Sequence, residues 1–297
     1  MGYPEIAYGT PRKLPKAKEL SGRVVVLDIA FAAETGGASF EKVTGKLIDG
    51  LGDRLAMWID HHDHARHVEY ADDPRFVLST KAEHPACPEM VTEERVRAAG
   101  RVDTICCHID FDGLCAAAKW IKGGIEPYEG ADADARAIDT RMGEPSPRAA
   151  TIDRALRGKP RDDGLKGLVI RYLVSGDAAL WEPIADAAKA FEISEREARR
   201  LAGGYEVVGD VAVVDASEHR GPYDKTLLLL IGQERARIAV VHDRSTVTAA
   251  ARFDSGVNLL ELFGLEGGMP TRVSVPKKRL PKVLEALGVD PRALSGG

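Results

Sequence analysis

Three short apolar runs in this chain each stop at aspartate or histidine. RVVVL (23–27) runs into Asp28, LAMWI (55–59) into Asp60-His61-His62, and VDTICC (102–107) into His108-Ile-Asp110-Phe-Asp112-Gly113. Carboxylates and imidazoles form a hard-to-borderline ligand set, suited to Mn²⁺ or Mg²⁺ better than to structural zinc, which usually recruits thiolates. Several carboxylates brought together repel one another without cations, which favours more than one ion. Two ions about 3.5–4 Å apart are the usual clamp for attack of water on a phosphorus centre.

Such a cluster needs a scaffold that brings the three strand ends together. In open parallel sheets the ligand crevice lies beyond the carboxyl ends of the strands. Apolar runs of strand length alternate here with helix-like stretches, the pattern of α/β units around a largely parallel sheet. GLVIRYLV (167–174) reads as a further strand, with a helix as the other reading. Helices are expected at 88–98, at 113–122 before Gly123-Gly124, and at 181–202 before Gly203-Gly204, since a glycine pair past an apolar periodic stretch is a C-terminal stop. The polar, Pro- and Gly-containing stretch 141–164 is expected to cross the surface.

If the chain stays extended after VDTICC, residues 108, 110 and 112 point the same way and can face one site. Gly113 would then permit a tight turn, and the helix behind it would offer unpaired N–H groups to a phosphate. From about Tyr205 the strand candidates are closely spaced: GDVAVVDAS, TLLLLIG, RIAVVHD and TVTAAARF, followed by a helix at LPKVLEALG. The expected fold is α/β, a mostly parallel sheet flanked by helices, with a smaller α+β C-terminal domain. The expected division is a lead-in over 1–21, an α/β domain over 22–180, a connecting helix over 181–204 and the smaller domain over 205–297.

The 297 residues, 44% hydrophobic and 29% charged, suit a globular chain with a substantial core. No apolar stretch approaches the roughly 20 residues a membrane span needs. The first residues lack the apolar segment of a secretory signal. Cys87, Cys106, Cys107 and Cys115 show no C-x-x-C spacing, so reduced, buried thiols in a cytoplasmic protein are expected, with Cys106 and Cys107 on opposite faces of a strand. The net charge of −5 argues against a protein that coats long duplex DNA. Divalent cations could still supply positive charge locally for nucleotide chemistry.

IDHH after a strand, H-x-D-x-D-G at the start of a helix and a separate strand ending in aspartate together resemble the DHH phosphoesterase superfamily. ARFDSGVNLLELFGLEGGMPTRVSVPKKRLPKVLEAL (251–287) resembles the DHH-associated C-terminal domain, whose GGH motif precedes a strand and a final helix. The resemblance reaches most of residues 22–290, and it implies that 22–180 is a metal-binding catalytic domain and 205–297 a substrate-binding domain, with the active site in the cleft between them. In the family the H-x-D-x-D element comes first; here Asp28 and Asp60-His61-His62 precede His108, so the order looks circularly permuted. Met269 stands where GGH has histidine, which implies recognition of a different or less charged group.

The resemblance implies a two-metal phosphohydrolase with two Mn²⁺ ions, Mg²⁺ being the other choice. His108, Asp110 and Asp28 would hold one ion. Asp112, Asp28 as a bridge, His61 and a further aspartate would hold the second, Asp177 being the first candidate and Asp139 its rival. Asp60 would orient His61, His62 would touch the substrate phosphate, and Arg252, Gly267, Gly268 and Met269 would bind substrate. The implied substrate is a short oligonucleotide or small nucleotide, with neither long duplex DNA nor membrane as a partner and a homodimer admitted.

A metal- or nucleotide-binding sensor that has lost catalysis is the alternative from another class, and a pyrophosphatase-like hydrolase the alternative within the enzymes. His64 and His67 read as exposed helix residues. Arg272, Lys277, Lys278, Arg279 and Lys282 read as a solvated face.

Overall fold

The computed structural model describes residues 3–33, 38–290, 292 and 294. Its first sheet has five strands: β1 (Glu5–Tyr8), β2 (Val24–Leu27), β3 (Leu55–Asp60), β4 (Phe76–Leu78) and β5 (Thr104–Cys107). They lie in the order β1-β5-β2-β3-β4, and every neighbouring pair is parallel. A parallel sheet covered on both faces should read as continuous apolar runs, and β2 does so, with all four of its residues fully buried. Val24, Val26, Trp58 and Cys106 join one apolar cluster, while Val25, Leu27, Ile59 and Cys107 join another. That is the period-2 alternation of a strand with both faces dry. Cys106 and Cys107 therefore face opposite sides, as their adjacency predicts, and all four cysteines are buried and free.

On the first face, α1 (Lys46–Leu51) packs Leu47 and Leu51 among Phe31, Phe40 and Trp58. The second face is covered by α2 (Glu93–Ala99), α3 (Phe111–Ile121), α4 (Ala131–Thr140), α5 (Pro147–Gly158), α6 (Asp163–Ser175) and α7 (Trp181–Lys189). The innermost is α3, which is buried from Phe111 through Trp120.

Several expectations change. GLVIRYLV is the body of helix α6, its helical alternative; the Asp162 side chain caps it by accepting the Leu165 N–H, and Leu165, Val169, Ile170 and Leu173 recur at helical spacing on the buried side. The stretch 141–164 is not all surface crossing. Ser146 and Pro147 start α5, whose Ala149, Ile152, Ala155 and Leu156 are buried. Glu5–Tyr8 is an edge strand paired with β5 rather than part of a lead-in.

The second unit begins at Glu192, within α8 (Phe191–Leu201). It continues with β6 (Glu206–Val208), β7 (Val211–Asp215), α9 (Lys225–Gln233), β8 (Ile238–His242) and β9 (Thr246–Ala251), then α10 (Leu259–Phe263), β10 (Arg272–Pro276) and α11 (Leu280–Ala286). The chain divides at Phe191 and Glu192, inside the expected connecting helix, which is two helices instead of one. The second sheet is mixed, in the order β10-β9-β8-β7-β6, with β7 and β8 parallel and the other pairs antiparallel. The parallel pair needs a crossover, and α9 provides it. TLLLLIG, read as a strand, belongs to that helix because Asp224 caps it and Leu228, Leu229 and Gly232 lie on its buried face.

Among the described residues no helix is long and apolar enough to cross a membrane.

Candidate metal centre

Strand register sets the centre of the cluster. Leu27 of β2 is level with Ile59 of β3 on one side and Cys107 of β5 on the other. The next residue of each strand path is Asp28, Asp60 and His108, which therefore stand in a row at one end of the sheet. The backbone continues the row: the Asp28 N–H donates to the Ile59 carbonyl at 2.9 Å, and the His108 N–H to the Leu27 carbonyl at 3.2 Å. The chain passes from β4 back across to the far side of β2 to form β5, so Asp28 and His108 flank the point where strand order reverses. Ligands in open α/β sheets bind at that point.

Asp28 has φ 57°, in the left-handed region that costs most residues about 1 kcal/mol and that aspartate and asparagine tolerate best. The turn aims its carboxylate across the row. Asp28 Oδ1 is 3.2 Å from His61 Nε2, and Asp28 Oδ2 is 3.7 Å from His108 Nδ1. Asp110 Oδ2 lies 2.9 Å from His108 Nδ1, and Asp112 Oδ2 lies 3.2 Å from His61 Nε2. The donor atoms of Asp28, His108 and Asp110 lie within 4.8 Å of one another, as do those of Asp28, His61 and His62, and those of His61, Asp112 and Asp139.

The chain is not extended as far as Asp112. Asp110 is the N-cap of α3, its Oδ1 accepting the Gly113 N–H at 3.1 Å, and Phe111 begins the helix. Asp112 therefore sits in the first helical turn and faces His61. The Gly113 N–H, expected to be available to an anion, is taken by Asp110. Gly113 is needed for close approach rather than for a turn, because a Cβ there would lie 2.6 Å from the His108 carbonyl oxygen. Gly113→Ala is expected to push His108 out of the row, weakening Mn²⁺ binding by about 10–100-fold and lowering stability by about 1–3 kcal/mol. Calorimetric Mn²⁺ titration beside thermal melts checks both effects, and unchanged affinity would show that the close approach does not position His108.

Asp60 does not hold His61. Its Oδ1 is 2.8 Å from His62 Nδ1, and its Oδ2 accepts the His62 backbone N–H at 3.3 Å. His61 is oriented instead by the His84 carbonyl, which accepts its Nδ1–H at 2.7 Å and leaves Nε2 facing the carboxylates. Asp112 is steadied by the Cys87 N–H, which donates to Oδ2 at 3.1 Å.

Asp177 and Asp139 part ways. Asp177 is exposed, caps the turn Ala178–Leu180 by accepting the Ala179 N–H at 2.9 Å, and belongs to none of the candidate groups. Asp139, near the end of α4, stands beside His61 and Asp112. Its carboxylate pairs with the ammonium of Lys81, which is itself 2.8 Å from His61 Nε2. Sequence reasoning missed Lys81 and the His84 carbonyl; both lie in a polar loop with no motif to single them out.

Electrostatics follow from crowding. Burial, then the Asp112 and Asp110 carboxylates, push Asp28 well above the ordinary carboxylate range. Burial raises Asp112 to about 6 against the pull of His61. Burial alone would lower His108, but Asp110, Asp28 and Asp112 overcome it and raise the imidazole to about 9. Burial and the Lys81 charge lower His62 to about 4, so it is neutral at pH 7.

The donor set fits a divalent cation. It is built of carboxylates and imidazoles, no cysteine belongs to any candidate group, and Asp28 Oδ1 and Asp112 Oδ1 are buried without a hydrogen bond among the described residues. Buried carboxylate oxygens in that condition are costly unless a cation meets them.

His64 and His67 are not exposed: His64 is buried, His67 half-buried, and both rings pack edge-on against Phe31. Arg252, Gly267, Gly268 and Met269 all belong to the second unit. There Arg252 is exposed and chelates Asp254 at 2.9 and 3.0 Å, and Gly268 takes φ 127° just before Met269.

No family model matches the chain, and no curated protein matches it. Solved structures do. Exonuclease RecJ in complex with Mn²⁺ from Thermus thermophilus is similar at 12% identity and a TM-score of 0.52, over 96% of this chain and 51% of that one. This chain thus spans about half of that exonuclease. Exonuclease RecJ bound to manganese matches at 12% identity and 0.44, over 94% of this chain and 77% of that one. The pGpG-specific phosphodiesterase PggH from Vibrio cholerae matches at 12% identity and 0.41, over 90% and 97%. The likeness to the Thermus exonuclease is one of fold: this chain has a DHH-type fold, a five-stranded parallel sheet flanked by helices with a separate mixed sheet.

Proposed function

We propose that this chain is a metal-dependent phosphoesterase that hydrolyses a short oligonucleotide or a small nucleotide by attack of water. The observation that carries this reading is the row of Asp28, Asp60-His61-His62 and His108-Asp110-Asp112 at the strand-order reversal of a parallel sheet. A divalent cation, Mn²⁺ or Mg²⁺, held by Asp28, His108 and Asp110 would supply Lewis acidity to the phosphate and lower the pKa of a water.

The chain's own groups do the rest. His62 is neutral, and its Nδ1–H is donated to Asp60, which fixes the tautomer. Its Nε2 has no partner among the described residues and is free to meet a phosphate or exchange a proton with it. Asp60, fully buried, is raised by burial and pulled below the ordinary range by His62, so it stays ionised to hold that ring. Asp112 and His61 complete the wall of carboxylates and imidazoles. The substrate contacts assigned to Arg252, Gly267, Gly268 and Met269, and the circularly permuted motif order, belong to the proposal through the resemblance of motifs alone. The substrate class rests on the same resemblance.

The test is a panel with added Mn²⁺: a dinucleotide, a short RNA, a cyclic dinucleotide, 3′-phosphoadenosine 5′-phosphate and pyrophosphate, with a His108→Ala, Asp110→Ala double variant alongside. Turnover of a nucleotide that the double variant loses is the expected result. Metal binding without turnover of any member would favour the sensor, and cleavage of pyrophosphate alone would favour the pyrophosphatase-like alternative.

A further inference from the structure

The group of His61, Asp112 and Asp139 already contains a cation. Lys81 follows β4 in the loop, and its side chain is only 2% exposed. Its ammonium pairs with Asp139 Oδ2 and lies 2.8 Å from His61 Nε2, which is itself 3.2 Å from both Asp28 Oδ1 and Asp112 Oδ2. With His61 Nδ1 engaged by the His84 carbonyl, Nε2 is the ring atom left to face Lys81 and the Asp28 and Asp112 carboxylates.

We propose that the Lys81 ammonium takes the place of a second metal ion, so that the chain binds one divalent cation, at Asp28, His108 and Asp110. This rests on the phosphoesterase reading and departs from the two-ion expectation drawn from the resemblance. A divalent ion held by His61, Asp112 and Asp139 would have to occupy the space beside His61 Nε2 and the Asp139 carboxylate that the Lys81 ammonium fills. It would also place a second positive charge against a buried ammonium, where the low dielectric makes like-charge repulsion strong. Lys81 is tethered to Asp139, whereas Asp28 and Asp110 have only histidines as ion-pair partners among the described residues and would take their cation from solution.

Mn²⁺ stoichiometry by equilibrium dialysis, with the electron paramagnetic resonance spectrum of the bound ion, tests this on the full chain. One Mn²⁺ per chain with the six-line spectrum of an isolated ion is expected for the parent protein. Lys81→Met, close in volume and uncharged, is expected to bind two with the broadened spectrum of a coupled pair. Asp139→Asn keeps one ion at an affinity within about threefold of the parent, because Asp139 is not a ligand in this arrangement; it decides the matter should Lys81→Met not fold. Two coupled ions in the parent protein, one ion in a folded Lys81→Met, or loss of an ion in Asp139→Asn would each overturn the proposal. No bound Mn²⁺ in the parent protein would instead overturn the metal-dependent reading beneath it.

Discussion

Replacing Asp28 by asparagine lowers Mn²⁺-dependent turnover by at least about a thousand-fold, about 4 kcal/mol of barrier, while the fold persists. Asp28 is shared by two of the candidate groups and lies between His61 and His108. Asparagine matches its shape and tolerates the left-handed φ of 57°. It also removes a carboxylate that burial and the neighbouring Asp112 and Asp110 hold well above its ordinary range. The melting temperature without metal should therefore be unchanged or higher. The rise on adding Mn²⁺, worth about 2.7 kcal/mol at a hundredfold excess over Kd in the parent protein, should vanish. Steady-state rates and thermal shifts with and without Mn²⁺ measure both. Turnover within tenfold of the parent would remove Asp28 from the chemistry.

The second large effect is of pH, and its two halves have opposite signs. Without metal, His108 is raised to about 9 by Asp110, Asp28 and Asp112 despite burial, against about 6.5 in an unfolded chain. A group whose folded value is raised contributes stability that is fully present below the unfolded value and is lost as pH climbs through the folded one. The metal-free protein should thus lose stability between about pH 6.5 and 9. A cation needs the neutral imidazole, so Mn²⁺ affinity should rise about tenfold per pH unit over the same window. Calorimetric Mn²⁺ titrations at several pH values, paired with metal-free melts, read both slopes. His108→Ala should flatten each, and slopes of the same sign would contradict the assignment.

Much of the site was legible because each strand's apolar run is short and stops abruptly at a ligand. RVVVL, LAMWI and TICC are continuous because both sheet faces are covered, and residues just past a strand's carboxyl end have few places to go. The same logic gave Cys106 and Cys107 their opposite faces. It could not choose between Asp177 and Asp139, since each follows an apolar stretch and only packing of α4 against the sheet brings one of them to His61. GLVIRYLV and TLLLLIG show the other limit. A run of aliphatic residues satisfies either period when all its neighbours are apolar, and the deciding signals were the single caps Asp162 and Asp224. Lys81 had no signal at all. A buried lysine is specified by the anions around it, and these arrive from β2, α3 and α4.

The strand order also dictates when the centre can exist. β5 lies between β1 and β2, both of which leave the ribosome earlier. It must therefore insert between two strands already made, so the chain that precedes it cannot close its sheet alone. Asp28 and His61 wait on an unfinished edge until His108 arrives, and Asp139 reaches the cluster only after α3 and most of α4 have been added. Chains emerging from synthesis thus complete this row late, after the apolar second face has found its helices.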